Sequence, residues 1–531
     1  MVENILGGLA LVLQPMSIMW LIFGLIIGFV VGVLPGLSSS STAALLLPFA
    51  LGLPFEVSLI LIVSIYAGAQ FAGAIPAILL NVPGESGSAV TALDGYPLMK
   101  KGKGGYAIGI ARMASTLGGV VSGILVLAVL SPLGTLALQF GAREMFVVIL
   151  LGFGAAASMV GPSVRKGVLA GCLGLLIATI GASPLTGQSR FTFDTVELYD
   201  GIALIPALIG AFAVSEMLML ISSRRRSKIL DEGADDLGGP RKQIKDALEG
   251  AKATFVRPAA VGQATLIGIL LGVIPGIGTA VANFLSYGIA KRRSKNPELY
   301  GKGSEEGIIA SEACDNAVAT ATLVPTLTLG IPGSATMAIV LAAFFLNGVQ
   351  PGPRVLVTHP FEVYSVVLAM IIASVLILPL GIALTAPLVT IAKVPLPYLV
   401  PVVLVVCFAG AFAARMSLFD VGIAVVFGLL AYLMRLHGYP VVPLILGMIL
   451  GPLAEENLMR ALALGNNSFF YFFDSPVVNT LWVLLAVLIA YLALGGRKKK
   501  GSKKSAGDTG DTDDADGTAS DKATTEKAQN R

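Results

Sequence analysis

Gly32–Ser41 reads GVLPGLSSSS, and Gly272–Thr279 reads GVIPGIGT. Both stretches sit inside runs that hydropathy alone marks as membrane helix. Proline removes a helix hydrogen bond and glycine loosens the chain, so neither belongs in an ordinary lipid-facing span. Irregular backbone at membrane depth leaves N–H and C=O groups unpaired, which is costly in hydrocarbon. It persists only when buried in protein or lining a polar cavity. The two stretches therefore read as turns around an internal site.

The composition places them in a membrane. Of 531 residues, 55% are hydrophobic and 13% are charged, and the mean hydropathy is +0.84. Soluble domains carry about 25% charged residues. Apolar runs of about 20 residues recur along the chain, the length a spanning helix needs. The alternating pattern of a membrane β-barrel is not visible. The expected fold class is an all-α polytopic membrane protein in a lipid bilayer. Cys172, Cys314 and Cys407 lie in or beside apolar runs without CxxC spacing, so neither a disulfide framework nor a transition-metal site is suggested. His359 and His437 are far apart in sequence and poor candidates for a metal pair. No nucleophile with a base, His-rich motif or carboxylate pair stands at helical spacing, so an enzyme is not expected. Nothing suggests a cofactor or nucleic acid. Met1–Pro15 lacks a basic n-region and a cleavage site, and reads as a short interfacial helix. Trp20 and Trp482 read as membrane anchors.

The apolar segments run over 18–34, 38–50, 57–80, 105–131, 144–162, 167–182 and 201–221, then 259–275, 278–290, 307–329, 334–347, 361–392, 397–414, 418–434, 440–453 and 477–495. Segments 38–50 and 278–290 provide only ~20 Å of helix against a ~30 Å hydrocarbon core. An internal repeat accounts for them. GVLPGLS at Gly32 matches GVIPGIG at Gly272. AIPAILLNVPGESGS (Ala74–Ser88) matches LVPTLTLGIPGSATM (Leu323–Met337), with Pro76 on Pro325 and Pro83 on Pro332. IPALIGAFAVSE (Ile205–Glu216) resembles VPLILGMILGPLAEE (Val442–Glu456). The offsets are 240, 249 and 237 residues, steady enough for two copies of one unit.

Loop charge orients the copies. Ser222–Arg257, with its SSRRRSK and RKQIK runs, and the tail from GRKKKGSKK at Gly496 are expected in the cytoplasm by the positive-inside rule. Lys100–Lys103 and Lys291–Lys295 join them. Segment 259–290 leaves a basic loop and returns to one, whereas 18–50 is flanked by Glu3 and Glu56 and no lysine or arginine. The copies are therefore expected to be inverted, each with a re-entrant hairpin and a discontinuous helix, as in many secondary transporters. The first repeat covers 1–221 (hairpin 18–50, broken helix 57–99) and the second 259–495 (hairpin 259–290, broken helix 307–347). Between them lies the basic loop 222–258. Residues 496–531 are expected to be a disordered cytoplasmic tail.

Half-helix N-termini suit anionic groups, and unwound carbonyls suit a cation such as sodium. The expected substrate-binding residues are Ser38, Ser39, Ser40, Ser41, Asn81, Gly84, Ser86, Gly278, Thr279, Ser334 and Thr336, whose small polar groups can bond a ligand without filling a cavity. The alternative is that they only permit close helix packing. The expected coupling-ion residues are Pro35, Gly36, Pro275, Gly276, Asp315, Asn316 and Gly333. Asp315 is a carboxylate inside an apolar segment. Glu85 reads as a carboxylate complementing a helix dipole or, alternatively, as a proton or cation site, Asp94 as part of a cytoplasmic turn, and Arg112, Arg143 and Arg415 as structural or interfacial.

The strings GVLPGLSSSSTAALLLPFALGLP, ILLNVPGESGSAVTALDGYPLMKKGKGGYAIGIA, FLSYGIAKRRSKNPELYGKGSEEGIIASEACDNA and LTLGIPGSATMAIVLAAFFLNGVQPGP resemble the large membrane subunit of tripartite tricarboxylate transporters, the TctA-like family, over roughly residues 1–495. The matching motif residues are Pro35, Gly36, Asn81, Pro83, Gly84, Pro275, Gly276, Asn316, Pro332, Gly333 and Ser334. The resemblance implies a multi-pass protein of the bacterial inner membrane that imports tricarboxylates, dicarboxylates or aromatic carboxylates. Uptake would need a periplasmic solute-binding protein and a small four-helix membrane subunit. An ion gradient would drive it, with sodium preferred over the proton as coupling cation. The family is similar in plan to the large subunits of TRAP transporters, which implies an elevator mechanism, and a homodimer would suit such a scaffold. A TRAP-type dicarboxylate transporter subunit and a passive anion channel are the alternative readings. The chain departs from the family pattern at LSSSS after the first PG, at SEACDNA, where Asp315 replaces an asparagine, and at PGSAT.

Overall fold

The computed structural model describes residues 1–34, 36–159, 164–183, 186–222, 239–275, 277–352, 354–391, 394 and 396–504. In chain order the first half holds α1 (Val2–Val12), α2 (Pro15–Val33), α3 (Ser39–Ala50), α4 (Phe55–Ala72), α5 (Ala74–Leu80), α6 (Ser88–Lys100), α7 (Gly104–Ala137), α8 (Ala142–Met159) and α9 (Val164–Ala178). A two-residue β-hairpin pairs Gly181 with Arg190 and Ala182 with Ser189. Next come α10 (Leu204–Leu208), a π-helical turn (Ile209–Val214) and α11 (Ser215–Ser222). The second half holds α12 (Pro240–Phe255), α13 (Pro258–Gly272), α14 (Gly278–Arg293), α15 (Glu305–Ala321), α16 (Leu323–Leu329), α17 (Ala335–Leu346), α18 (Val355–Thr358), α19 (Pro360–Ala383), α20 (Thr385–Ile391), α21 (Leu396–Arg415), α22 (Leu418–Leu436), α23 (Val442–Leu464) and α24 (Pro476–Lys504). Eight of the described helical stretches are long and apolar enough to cross a membrane. The number is nine if α12 and α13, bent by 80° at their junction, count as one span. The chain is a polytopic helical membrane protein.

The centre is built on α4 and α15. From Val57 to Leu80 the continuous stretch of α4 and α5 is buried, and nearly every side chain of α15 is buried as well. α2 packs along α4, and α13 along α15. Small residues let the backbones approach. A Cβ placed on Gly28 would lie 2.9 Å from the Ala69 nitrogen, and one on Gly268 would lie 2.7 Å from the Cys314 carbonyl oxygen. Membrane helices lack a hydrophobic drive to associate with one another, so glycine-lined faces of this kind carry their packing.

The outer helices pair crosswise between the halves. α1 lies along α19, while α12 lies along α7. α8 and α9 pack on α23, with α24 outside them. α21 and α22 pack on the stretch from α10 to α11.

Several expectations change here. The basic loop 222–258 contains α12, whose buried Ala247 and Ala251 face α7 while its lysines stay outside. Its apolar stripe is narrow, and the charges hide it in the sequence. α24 continues through the basic run to Lys504, beyond the expected boundary at 496, and residues 505–531 lie outside the described residues. Asp94 is not in an exposed turn. It is fully buried in α6, and its Oδ1 accepts from the backbone nitrogens of Gly301 (2.8 Å), Gly303 (2.9 Å) and Ser304 (2.8 Å). The Tyr287 hydroxyl donates to its Oδ2 at 2.8 Å. Arg112 is fully buried; it donates to Thr385 Oγ1 at 2.8 Å and lies over the Phe71 ring. Arg143 pairs with Glu144, and Arg415 with Asp420.

Candidate functional site

Each half breaks its long helix in the same manner. α4 passes into α5 at Gly73, and α5 ends at Asn81 in the left-handed conformation (φ 54°). α15 passes into α16 at Thr322, and α16 ends at Gly330 (φ 69°). In both, the next nitrogen bonds back to a proline carbonyl: Val82 to Pro76 at 3.3 Å, and Ile331 to Pro325 at 3.2 Å. The Pro-Gly pairs follow. A Cβ on Gly84 would lie 2.8 Å from Gly73 Cα, and one on Gly333 would lie 2.7 Å from Thr322 Cβ. Glycine is needed because the chain folds back onto its own break.

The hairpin tips turn through Gly36 (φ 95°) and Gly278 (φ 72°), a region that glycine enters without strain. The tips then cross over. Ser39 Oγ of the first tip lies 3.1 Å from Thr336 Oγ1 beside the second break. Thr279 Oγ1 of the second tip lies 3.4 Å from Ser86 Oγ beside the first.

A cavity of about 850 Å³ opens where these four segments meet. Of the expected residues, Gly36, Ser38, Ser39, Ser40, Gly84, Ser86, Gly278, Thr279, Gly333, Ser334 and Thr336 line it. Ser41 does not. It closes a capping box with Ser38, its Oγ accepting from the Ser38 nitrogen at 2.9 Å while Ser38 Oγ accepts from the Ser41 nitrogen at 3.2 Å. Asn81 is exposed as the C-cap of α5, away from the cavity. Pro275 is also outside it. Asn316 is buried and turned to the Glu312 carbonyl. Asp315 is buried in α15 behind the wall, where it accepts from Asn283 Nδ2 at 2.8 Å. Pro35 and Gly276 lie outside the described residues.

Glu85 accepts from the Ser39 nitrogen at 2.5 Å, at the N-terminus of α3, as a carboxylate complementing a helix dipole would. Sequence reasoning missed another part of the wall. Glu216, on α11, accepts from the Ser38 hydroxyl at 3.0 Å and from its nitrogen at 3.3 Å. The positive end of α3 is thus already served by two protein carboxylates. By contrast, the N-cap residue of α14, Ile277, makes no side-chain cap hydrogen bond. Arg435, at the end of α22, also lines the cavity. Its Nη1 is 3.6 Å from Glu216 Oε1, and its buried Nε has no hydrogen-bond partner. An arginine within an apolar run, AYLMRLHGYP, was the available signal. Among the described residues no group of three or more His, Cys, Asp or Glu could hold a metal ion.

A family model described as "Tripartite tricarboxylate transporter TctA family" matches residues 18–446. A protein of Agrobacterium vitis described as "Uncharacterized 52.8 kDa protein in TAR-I ttuC' 3'region" is 37% identical over 495 residues, which cover 93% of this chain and 96% of that protein. A second protein of that organism, "Uncharacterized protein in TAR-II ttuC' 3'region", is 36% identical over 227 residues, 42% of this chain and 94% of its own length. No solved structure matches.

Proposed function

Because the chain belongs to the tripartite tricarboxylate transporter TctA family, we propose that it is the membrane carrier of an ion-coupled importer of small carboxylates. Its substrate is a tricarboxylate, dicarboxylate or aromatic carboxylate delivered by a periplasmic solute-binding protein, with a small four-helix membrane subunit as a second partner. It works in the bacterial inner membrane with 222–258 and the C-terminal tail in the cytoplasm. Sodium is the preferred coupling cation.

One observation carries this reading: two tips and two breaks converge on a single hydroxyl-lined cavity that also receives Arg435. A guanidinium presents a planar fork of donors matched to a carboxylate, and Arg435 brings one to the cavity wall. The uncapped first turn of α14 offers backbone N–H groups on the opposite wall. Glu85 and Glu216 are tied to the N-terminus of α3, whose dipole offsets part of their charge.

The crosswise pairing of helices supports the inverted repeat. Exchanging α1 for α12, α4 for α15, α7 for α19 and α10–α11 for α23 maps the packing of one half onto the other. The tips and breaks form the mobile body of an elevator, and the groups α8–α9–α23 and α10–α11 with α21–α22 form its frame. The cavity lies where body and frame meet: Glu216 and Arg435 come from the frame, the serines from the body.

Uptake by proteoliposomes holding the complete assembly tests the reading. A ligand identified by thermal shift of the cognate binding protein should accumulate when that protein and an inward sodium gradient are both present. Equal uptake without the binding protein, or indifference to both sodium and proton gradients, would reject it.

A further inference from the structure

Behind the cavity wall, a group of buried oxygens is left over by the packing. Asp315 is 1% exposed and Asn283 is wholly buried. Asn283 Nδ2 donates to Asp315 Oδ1 at 2.8 Å and to the Gly87 carbonyl at 3.2 Å. Among the described residues, neither Asp315 Oδ2 nor Asn283 Oδ1 has a hydrogen-bond partner. Buried polar atoms of this kind are rare and call for an explanation. The Thr279 side chain lies beside Asp315 as well, and its hydroxyl contacts Ser86 at the cavity surface.

We propose that Asp315, Asn283, Thr279 and the Gly87 carbonyl form a sodium site one layer behind the substrate cavity. A half-turn of the Asn283 amide exchanges its oxygen and nitrogen with little change of shape. That turn puts the amide oxygen where Nδ2 now stands, beside Asp315 Oδ1 and the Gly87 carbonyl. Hard cations take oxygen ligands, and unwound carbonyls supply them in membrane carriers. A proton needs a single acceptor, whereas several converging oxygens suit an ion with several ligands. The space depends on glycine: a Cβ on Gly87 would lie 2.7 Å from the Asp315 carboxyl carbon and 2.8 Å from Asn283 Nδ2.

The neighbouring acidic groups are committed elsewhere: Glu85 accepts from the Ser39 nitrogen at 2.5 Å. Glu312 accepts from the Thr91 hydroxyl at 2.5 Å and from the Ser115 hydroxyl at 2.9 Å. The site joins the second tip, through Asn283 on α14, to the first break, through Gly87. A bound cation fastens tip to break behind the Thr279–Ser86 contact, and so shapes the wall that meets the anion. The inference deepens the reading of the chain as an ion-coupled carrier and rests on it for its role in transport.

The test is sodium binding to the purified full-length protein, without carboxylate. Melting temperature is measured in NaCl and in KCl at equal ionic strength, and sodium affinity with the radioactive ion. Sodium should raise the melting temperature of the wild type and of Ser40→Ala, a variant of the cavity wall. Asp315→Asn should lose the shift and bind sodium at least tenfold more weakly. Asn283→Ala is the second variant, and whichever of the two is monodisperse by gel filtration decides. No sodium-specific shift in the wild type, an unchanged shift in the variant, or a shift reproduced in potassium by acid alone would overturn the site. Sodium binding that depends on Asp315 without any carboxylate uptake would reject the carrier and leave the site. Carboxylate uptake with sodium binding indifferent to Asp315 would do the reverse.

Discussion

Four adjacent serines in this chain hold different jobs. Ser41 serves α3, through its capping box with Ser38, and Ser40 serves the cavity, which it lines. Ser41→Ala should therefore cost about 1 kcal/mol of stability, read as a lower melting temperature, with substrate choice unchanged. Ser40→Ala should impair uptake at normal expression. Arg435→Gln should lower carboxylate uptake at least tenfold at saturating binding protein, and Arg435→Lys should recover part of it, since lysine keeps the charge and loses the fork. Asp94→Ala should lower the melting temperature by a loss of about 3 kcal/mol or more, because hydrogen bonds to a charged group contribute roughly 1.5–3 kcal/mol each. The turns were legible in the sequence because proline, glycine and serine are out of place in an apolar run. Glu216 was not, because its partner Ser38 stands 178 residues away. Asp94 was read backwards: DGYP looks like a turn, but the carboxylate belongs to a helix that organises someone else's loop, Gly301–Ser304.

Among the elements, α2 and α13 do the same work against α4 and α15. Their glycines, Gly28 and Gly268, leave room for one backbone beside another. Gly28→Val should part α2 from α4 at a cost of about 1–3 kcal/mol, the usual penalty of overpacking, and appear as reduced monodisperse yield. Gly268→Val should behave alike in the other half. The broken helices were readable because the two Pro-Gly motifs share a spacing from the prolines of α5 and α16. α12 was hidden for a physical reason. Only a thin stripe, with Ala247 and Ala251, is buried against α7, and small residues on one face of a charged segment carry little hydropathy signal.

For the molecule as a whole, the sliding body we propose implies a boundary that must not be pinned. A Cβ on Gly410 of α21 would lie 3.6 Å from Pro48 Cγ on α3. With Cys172, Cys314 and Cys407 replaced by serine, a disulfide between Pro48→Cys and Gly410→Cys should stop uptake, and reductant should restore it. A link between Gly105→Cys and Asp246→Cys, which joins α7 to α12 away from that boundary, should leave uptake intact. Uptake that survives the first link would mean that α3 and α21 travel together. The crosswise helices also set a timetable for synthesis. α1 leaves the ribosome long before α19, yet its face at Gly7 and Gly8 fits Phe361 and Tyr364 of that helix. Until then that face has only lipid or chaperone to hold it. α12 has no such wait, since α7 already stands when it emerges. Nascent chains stopped before α19 should thus expose α1 to protease, and chains stopped after it should not.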